Sequence, residues 1–244
     1  MIVIFAIDAL EYNLVEEFNC KNLKQKYYGK TDISEFSQPR TMVLWSSFMT
    51  GKNKEDDVLE DGNKEMWNKK WDIKETFFSF FENPVVLDLP GFSYDLGFHG
   101  KSRILLKNFF ETKNLEKKEN LKKEYNKDAF DHHRKIKDKF FKALGEDRDF
   151  VLGYFSVADV IGHLNFGNKV IMKMIYIELD EMAEKIKKNK RVKSLIILSD
   201  HGMKAIGRFG DHSEYGFWST NFKDLKTPKI TEFYELIRGI KNES

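Results

Sequence analysis

The run Ser194–Leu198 (Ser-Leu-Ile-Ile-Leu) stops abruptly at Ser199, Asp200, His201 and Gly202, and no other feature limits the fold so much. Short, continuous apolar text of this kind suits a strand covered on both faces, as in a parallel sheet. Ligands collect beyond the carboxyl ends of such strands. Two further apolar runs behave alike: Ile2–Ile7 ends at Asp8, and 150–157 leads to Asp159. Parallel neighbours need long crossovers, and the amphipathic stretch Lys169–Lys188 supplies a helical one just before Ser194. The expectation is an α/β fold, a three-layer α/β/α sandwich with a mostly parallel central sheet.

At 244 residues the chain can bury one full core, so a single domain over 1–244 is expected. The charged stretches 52–72 and 101–148 read as surface or cap insertions, the latter as two or more helices. Helical spacing is read over 42–49 with Gly51 as its stop, a short helix over 75–81, and a strand over 84–89. A loop is expected at 92–100, another at the Gly-rich 207–219, and a last helix near 231–240. Residues 12–30 carry no sharp signal. Trp67 and Trp71, four apart, read as a packed helical stripe or as a stacking surface for a substrate base.

The 41 basic and 39 acidic side chains nearly cancel, which gives no reason to invoke a nucleic-acid polymer or a membrane as partner. The single cysteine, Cys20, excludes an intramolecular disulfide and suits a reducing compartment. Met1–Ile7 lacks a basic leader and is too short to span a bilayer, so the protein is expected in the cytoplasm.

Six residues have the chemistry of metal ligands at the places where strands end or loops return: Asp8, Asp159, His163, Asp200, His201 and His212. Asp159 and His163, four apart, share one face of a helical turn. Carboxylates with imidazoles suit divalent ions that keep open positions. Thr41 follows the turn Ser37-Gln-Pro-Arg and precedes a helix, where it serves either as a cap or as an oxygen nucleophile favoured by the helix N-terminus. His99, and His132 with His133, are further imidazoles; adjacent helical residues diverge, so His132 and His133 are not expected to share an ion.

The ordered set of Ile7-Asp8-Ala9, Thr41 to Thr50-Gly51, Asp159-Val-Ile-Gly-His163, Ser199-Asp-His-Gly-Met203 and Gly210-Asp-His212 resembles the alkaline phosphatase superfamily, nearest its nucleotide pyrophosphatase/type I phosphodiesterase branch. The resemblance implies two divalent ions, zinc in the first place and manganese or magnesium otherwise. Asp8, Thr41, Asp200 and His201 would hold one, and Asp159, His163 and His212 the other. It implies Thr41 as nucleophile and a phosphothreonine intermediate, in an enzyme that cleaves a small phosphate ester such as a nucleotide. Phosphomonoesterases and phosphomutases use the same ligands, and a non-catalytic metal-binding protein is the remaining alternative. Where the diesterases carry Phe-Pro-Asn after the nucleophile, this chain has Met42-Val43-Leu44.

Overall fold

The computed structural model describes residues 1–60, 62 and 65–243. Its elements run β1 (Ile2–Ile7), α1 (Tyr12–Glu17), β2 (Tyr27–Asp32), α2 (Thr41–Thr50), α3 (Glu55–Leu59), β3 (Pro84–Leu87), α4 (Leu96–Glu111) and α5 (Leu115–Gly145). There follow β4 (Phe150–Phe155), α6 (Val157–Asn165), α7 (Lys169–Lys188), β5 (Ser194–Leu198), β6 (Met203–Ile206), β7 (Phe209–His212), β8 (Tyr215–Thr220) and α8 (Phe233–Asn242). The main sheet has the order β2-β8-β5-β1-β4-β3, and β6 with β7 makes a separate hairpin. β5, β1, β4 and β3 are mutually parallel, whereas β8 runs antiparallel to both β5 and β2.

Strand alternation divides the core into two halves. Val3, Phe5 and Ile7 of β1 join Val151, Leu195 and Ile197 on one face, beneath buried side chains of α5, α6 and α7. Ile2, Ile4 and Ala6 join Leu152, Ile196 and Leu198 on the other, against α2 and α8. Helices on both faces explain why these strands are apolar at every position rather than at every second one. The result is a three-layer α/β/α sandwich.

Several expectations are corrected. The stretch 101–148 is not wholly an insertion: Tyr125, Ala129, Ile136, Phe140 and Leu144 of α5 are buried in the first half-core. Its lysines and glutamates occupy the outer face of a long amphipathic helix, which is why composition alone reads as a surface excursion. The expected loop at 92–100 holds the start of α4, and 207–219 is mostly the β6–β7 hairpin and β8. Residues 27–32 form the edge strand β2, and 75–81 is a pair of 3-10 turns at Ile73–Glu75 and Phe77–Phe80. Trp67 sits in a 3-10 turn, Met66–Asn68, rather than on a helical stripe shared with Trp71. Positions 61, 63 and 64 of the 52–72 stretch lie outside the described residues. Among the described residues no helix is long and apolar enough to cross a membrane. Cys20 is buried, and burial pushes its thiol up to about 12, which leaves it unreactive.

Candidate metal centre

The parallel strands deliver their acids to one edge of the sheet. Asp8 follows β1, Asp200 and His201 follow β5, and Asp159 and His163 lie one turn apart on α6, directly beyond β4. Ala9 at φ 56° turns the chain sharply after Asp8, and strain of this kind collects at functional sites. The Leu10 amide donates to Ser199 Oγ at 2.9 Å, and that hydroxyl donates to the His201 carbonyl at 2.6 Å, tying the ends of β1 and β5 together. β8 passes so close that a Cβ on Gly216 would lie 2.1 Å from the Ser199 carbonyl oxygen and 2.8 Å from that of Asp200. Only glycine lets the strand brace the site from there.

His201 is the hub of the first group. Its Nε2 lies 3.2 Å from Thr41 Oγ1, 3.3 Å from Asp8 Oδ1 and 3.4 Å from Asp200 Oδ2. In the second group Asp159 Oδ1 lies 3.2 Å from His163 Nε2 and 3.3 Å from His212 Nε2. The His201 and His212 rings stack at 3.8 Å, so the two groups adjoin. All seven residues singled out in the sequence therefore meet. Thr41 is the first residue of α2, not its cap: Arg40 holds the cap position, and the Thr41 hydroxyl turns into the site.

Two observations test whether these residues fit divalent ions. Ligand atoms bound at about 2.0–2.1 Å in tetrahedral geometry sit about 3.3 Å apart, close to the separations found. Asp8 Oδ1, Asp159 Oδ1, both oxygens of Asp200 and His212 Nε2 are buried without hydrogen-bond partners, a costly arrangement unless something else satisfies them. The histidines are also oriented as ligands. Nδ1 lies 3.0 Å from the Gly202 carbonyl in His201, 3.2 Å from that of Gly210 in His163, and 2.8 Å from that of Pro39 in His212. With the proton on Nδ1, each ring presents the Nε2 lone pair to the centre. The donor set fits.

The charges are poised for cations. Burial, reinforced by the Asp159 carboxylate, pushes Asp8 up to about 7 against a hydrogen bond from Tyr154. Burial and the neighbouring Asp8 hold Asp200 well above the usual carboxylate range. Burial keeps His201 well below the usual imidazole value. Burial opposes the charge on His163 as well, but Asp159 outweighs it and raises His163 to about 9. Without a cation the site at neutral pH thus retains a proton on His163 and on part of Asp8. These must leave when an ion enters. Zinc affinity is expected to climb steeply from pH 7 to 9, by about tenfold per pH unit for each proton released, and to flatten above the His163 value. Calorimetric titration with zinc in buffers of different ionisation enthalpy counts the protons; none released at pH 7 contradicts the account.

Tyr154, Tyr94 and Arg103, which carry no sequence signal, complete the surroundings with Trp67, one of the two tryptophans read as a packed stripe or a stacking surface. Tyr154 sits in the apolar strand β4 and differs from its neighbours only in the hydroxyl it donates to Asp8 Oδ2. Trp67, Tyr94 and Arg103 line the cavity that holds Thr41, Asp8 and Asp159. Tyr94 and Trp67 stack at 5.8 Å, and the Arg103 guanidinium lies 4.1 Å over the Trp67 ring. His99 and His132 are not part of the seven-residue group: both turn to Asp88.

A solved structure of TAB5 alkaline phosphatase, a mutant with magnesium bound, matches 99% of this chain and 97% of its own length, at a TM-score of 0.54 and 13% identity. The chain has the alkaline phosphatase fold. Murine ectonucleotide pyrophosphatase/phosphodiesterase 5 matches over 85% of this chain at a TM-score of 0.46 and 13% identity. Its human counterpart matches over 84% at 0.42 and 12%. The chain spans 58% of the length of those phosphodiesterases, against nearly all of the alkaline phosphatase. No protein-family model and no curated sequence matches it.

Proposed function

We propose that the chain is a metal-dependent phosphodiesterase in which Thr41 is the nucleophile. The observation that carries this reading is the placement of the Thr41 hydroxyl at the N-terminus of a buried helix, 3.2 Å from His201 Nε2 and beside Asp8 and Asp159 in one cavity. Asp8, Thr41, Asp200 and His201 would hold one divalent ion, and Asp159, His163 and His212 a second. Zinc suits three imidazoles; manganese or magnesium suits the carboxylates. Bound there, such a pair supplies the positive charge that makes a hydroxyl anionic at neutral pH and neutralises phosphoryl oxygens.

The rest falls to the chain's own atoms. The Thr41 oxygen attacks phosphorus in line with the leaving alkoxide, giving a phosphothreonine and one alcohol. Water then attacks the phosphothreonine, returning Thr41 and the second product. The helix N-terminus of α2 favours the anion at both stages. The Gly210 and Pro39 carbonyls fix His163 and His212 in place, and Tyr154 fixes Asp8.

The diester preference is supported by the space around Thr41. A narrow cavity of about 120 Å³ runs along Trp67, Tyr94 and Tyr125. A wider one of about 830 Å³ runs along Ile33, Phe36, Arg40 and Lys204, and the two share Trp67 and His212. A phosphorus centre between two cavities has room for a substituent on each side, and a flat aromatic wall recommends nucleotides as the first class to screen. Turnover of bis-p-nitrophenyl phosphate is expected to exceed that of p-nitrophenyl phosphate on protein stripped of metal and refilled with zinc or manganese. Faster monoester cleavage would move the chain to the phosphatase or mutase side. No turnover of either would favour a non-catalytic metal-binding protein.

A further inference from the structure

A fourth parallel strand also ends in an aspartate. Asp88, just after β3, is 4% exposed and adopts φ 59°, a conformation that non-glycine residues seldom hold without a reason. Its Oδ1 accepts the Asp95 amide at 2.8 Å. Its Oδ2 meets two imidazoles from different helices, His99 Nε2 of α4 at 2.9 Å and His132 Nε2 of α5 at 2.6 Å. Both histidines are buried, at 3% and 7% exposure. Each ring is held flat by an aromatic neighbour, His99 by Tyr94 at 3.9 Å and His132 by Phe98 at 3.8 Å. His133, next along α5, faces away and lies 3.3 Å from Glu178.

Asp88 Oδ2 and the two Nε2 atoms lie within 4.8 Å of one another, all three residues are buried, and together they offer one oxygen and two nitrogen ligands to a single ion. Outside His132 lies a cavity of about 270 Å³ lined by Asp95, Phe98, Asp128, Asp131 and Lys135, its carboxylates paired with Lys135, Lys101 and Lys127. That cavity opens from solvent toward a buried carboxylate and two imidazoles, the donor types a borderline divalent ion takes. We propose that Asp88, His99 and His132 form a third metal site of the zinc class, entered from the α4–α5 face and distinct from the seven-residue centre. The ion pins α4 and α5 to the β3 edge of the sheet. Zinc would spread the three ligand atoms to about 3.3 Å apart, so the two contacts open by about half an ångström on loading. The competing arrangement is hydrogen bonding alone, with both rings donating to Asp88.

The two are separated by counting ions. The whole chain is stripped with chelator, dialysed against zinc and weighed by native mass spectrometry, alongside His132→Gln and His132→Ala. Gln keeps an amide donor for Asp88 but is no zinc ligand, so it preserves the hydrogen-bonded arrangement and removes only the metal site. The expected result is one zinc fewer per chain in both variants than in the unaltered protein, and a smaller rise in melting temperature on zinc addition. A zinc count and a zinc-induced rise unchanged by His132→Gln overturn the site. Should His132→Ala fail to fold, the Gln variant decides alone. The unaltered seven-residue centre reports separately, because its ions remain in both variants.

Discussion

Thr41→Ala is expected to lower turnover of bis-p-nitrophenyl phosphate by at least about three orders of magnitude, as loss of a covalent nucleophile does. The fold should hardly notice. Thr41 is not the α2 cap, its hydroxyl contacts His201 rather than the helix backbone, and alanine is the better helix former. A stability change within about 1 kcal/mol is therefore expected in denaturant unfolding. Zinc content should also hold, since Asp8, Asp200 and His201 remain. Thr41→Ser keeps the oxygen and should keep most of the activity. Near-normal product release by the alanine variant would remove Thr41 from the chemistry, whatever the metals do.

Asp200→Asn is expected to act in opposite directions with and without metal. Asp200 is fully buried, neither carboxylate oxygen has a hydrogen-bond partner, and burial with Asp8 alongside holds its folded pKa above the unfolded value. An acid whose folded pKa is raised withdraws stability as pH rises from the unfolded value, near 3.9, toward the folded one. In chelator at neutral pH the uncharged amide escapes that pH-dependent penalty and should raise the melting temperature. In zinc it removes a ligand of the hub at His201, and a metal contribution of several kcal/mol to the transition state goes with it, about a thousandfold in turnover. Paired melting curves in EDTA and in zinc should therefore cross between wild type and variant. Curves that shift the same way in both conditions would show that Asp200 is not a ligand.

Strand ends were the legible part of this chain. Asp8, Asp159 and Asp200 stand out because each interrupts apolar text, and a buried parallel strand leaves no other place for an acid. The helical spacing of Asp159 and His163 could be read for the same reason. What escaped lay where local composition and tertiary role part company. β2 is an edge strand of Tyr, Lys and Gly, only half buried, so it lacks the unbroken apolar signature of its neighbours. β7 and β8 carry Gly210 and Gly216 where backbone or Met203 crowds in, and those glycines imitate a loop. α5 hides a core face behind a lysine-rich one. Asp88, His99 and His132 sit 11 and 33 residues apart on three elements, and only the packing of α4 and α5 over β3 makes them one group. Tyr154 was invisible because a tyrosine in an apolar strand looks like any other large core residue.

The position of β1 has a consequence for the order in which the molecule is made. Its two hydrogen-bonding partners are β4 and β5, which begin at Phe150 and Ser194. β1 is thus made before either partner and waits for Ser194–Leu198 before both its edges are covered. Meanwhile it is a flat, wholly apolar segment with open edges, the kind that seeks company in other chains. Asp8 at its end is a charge placed against such pairing, so the residue read here as a ligand in the finished protein also guards the nascent one.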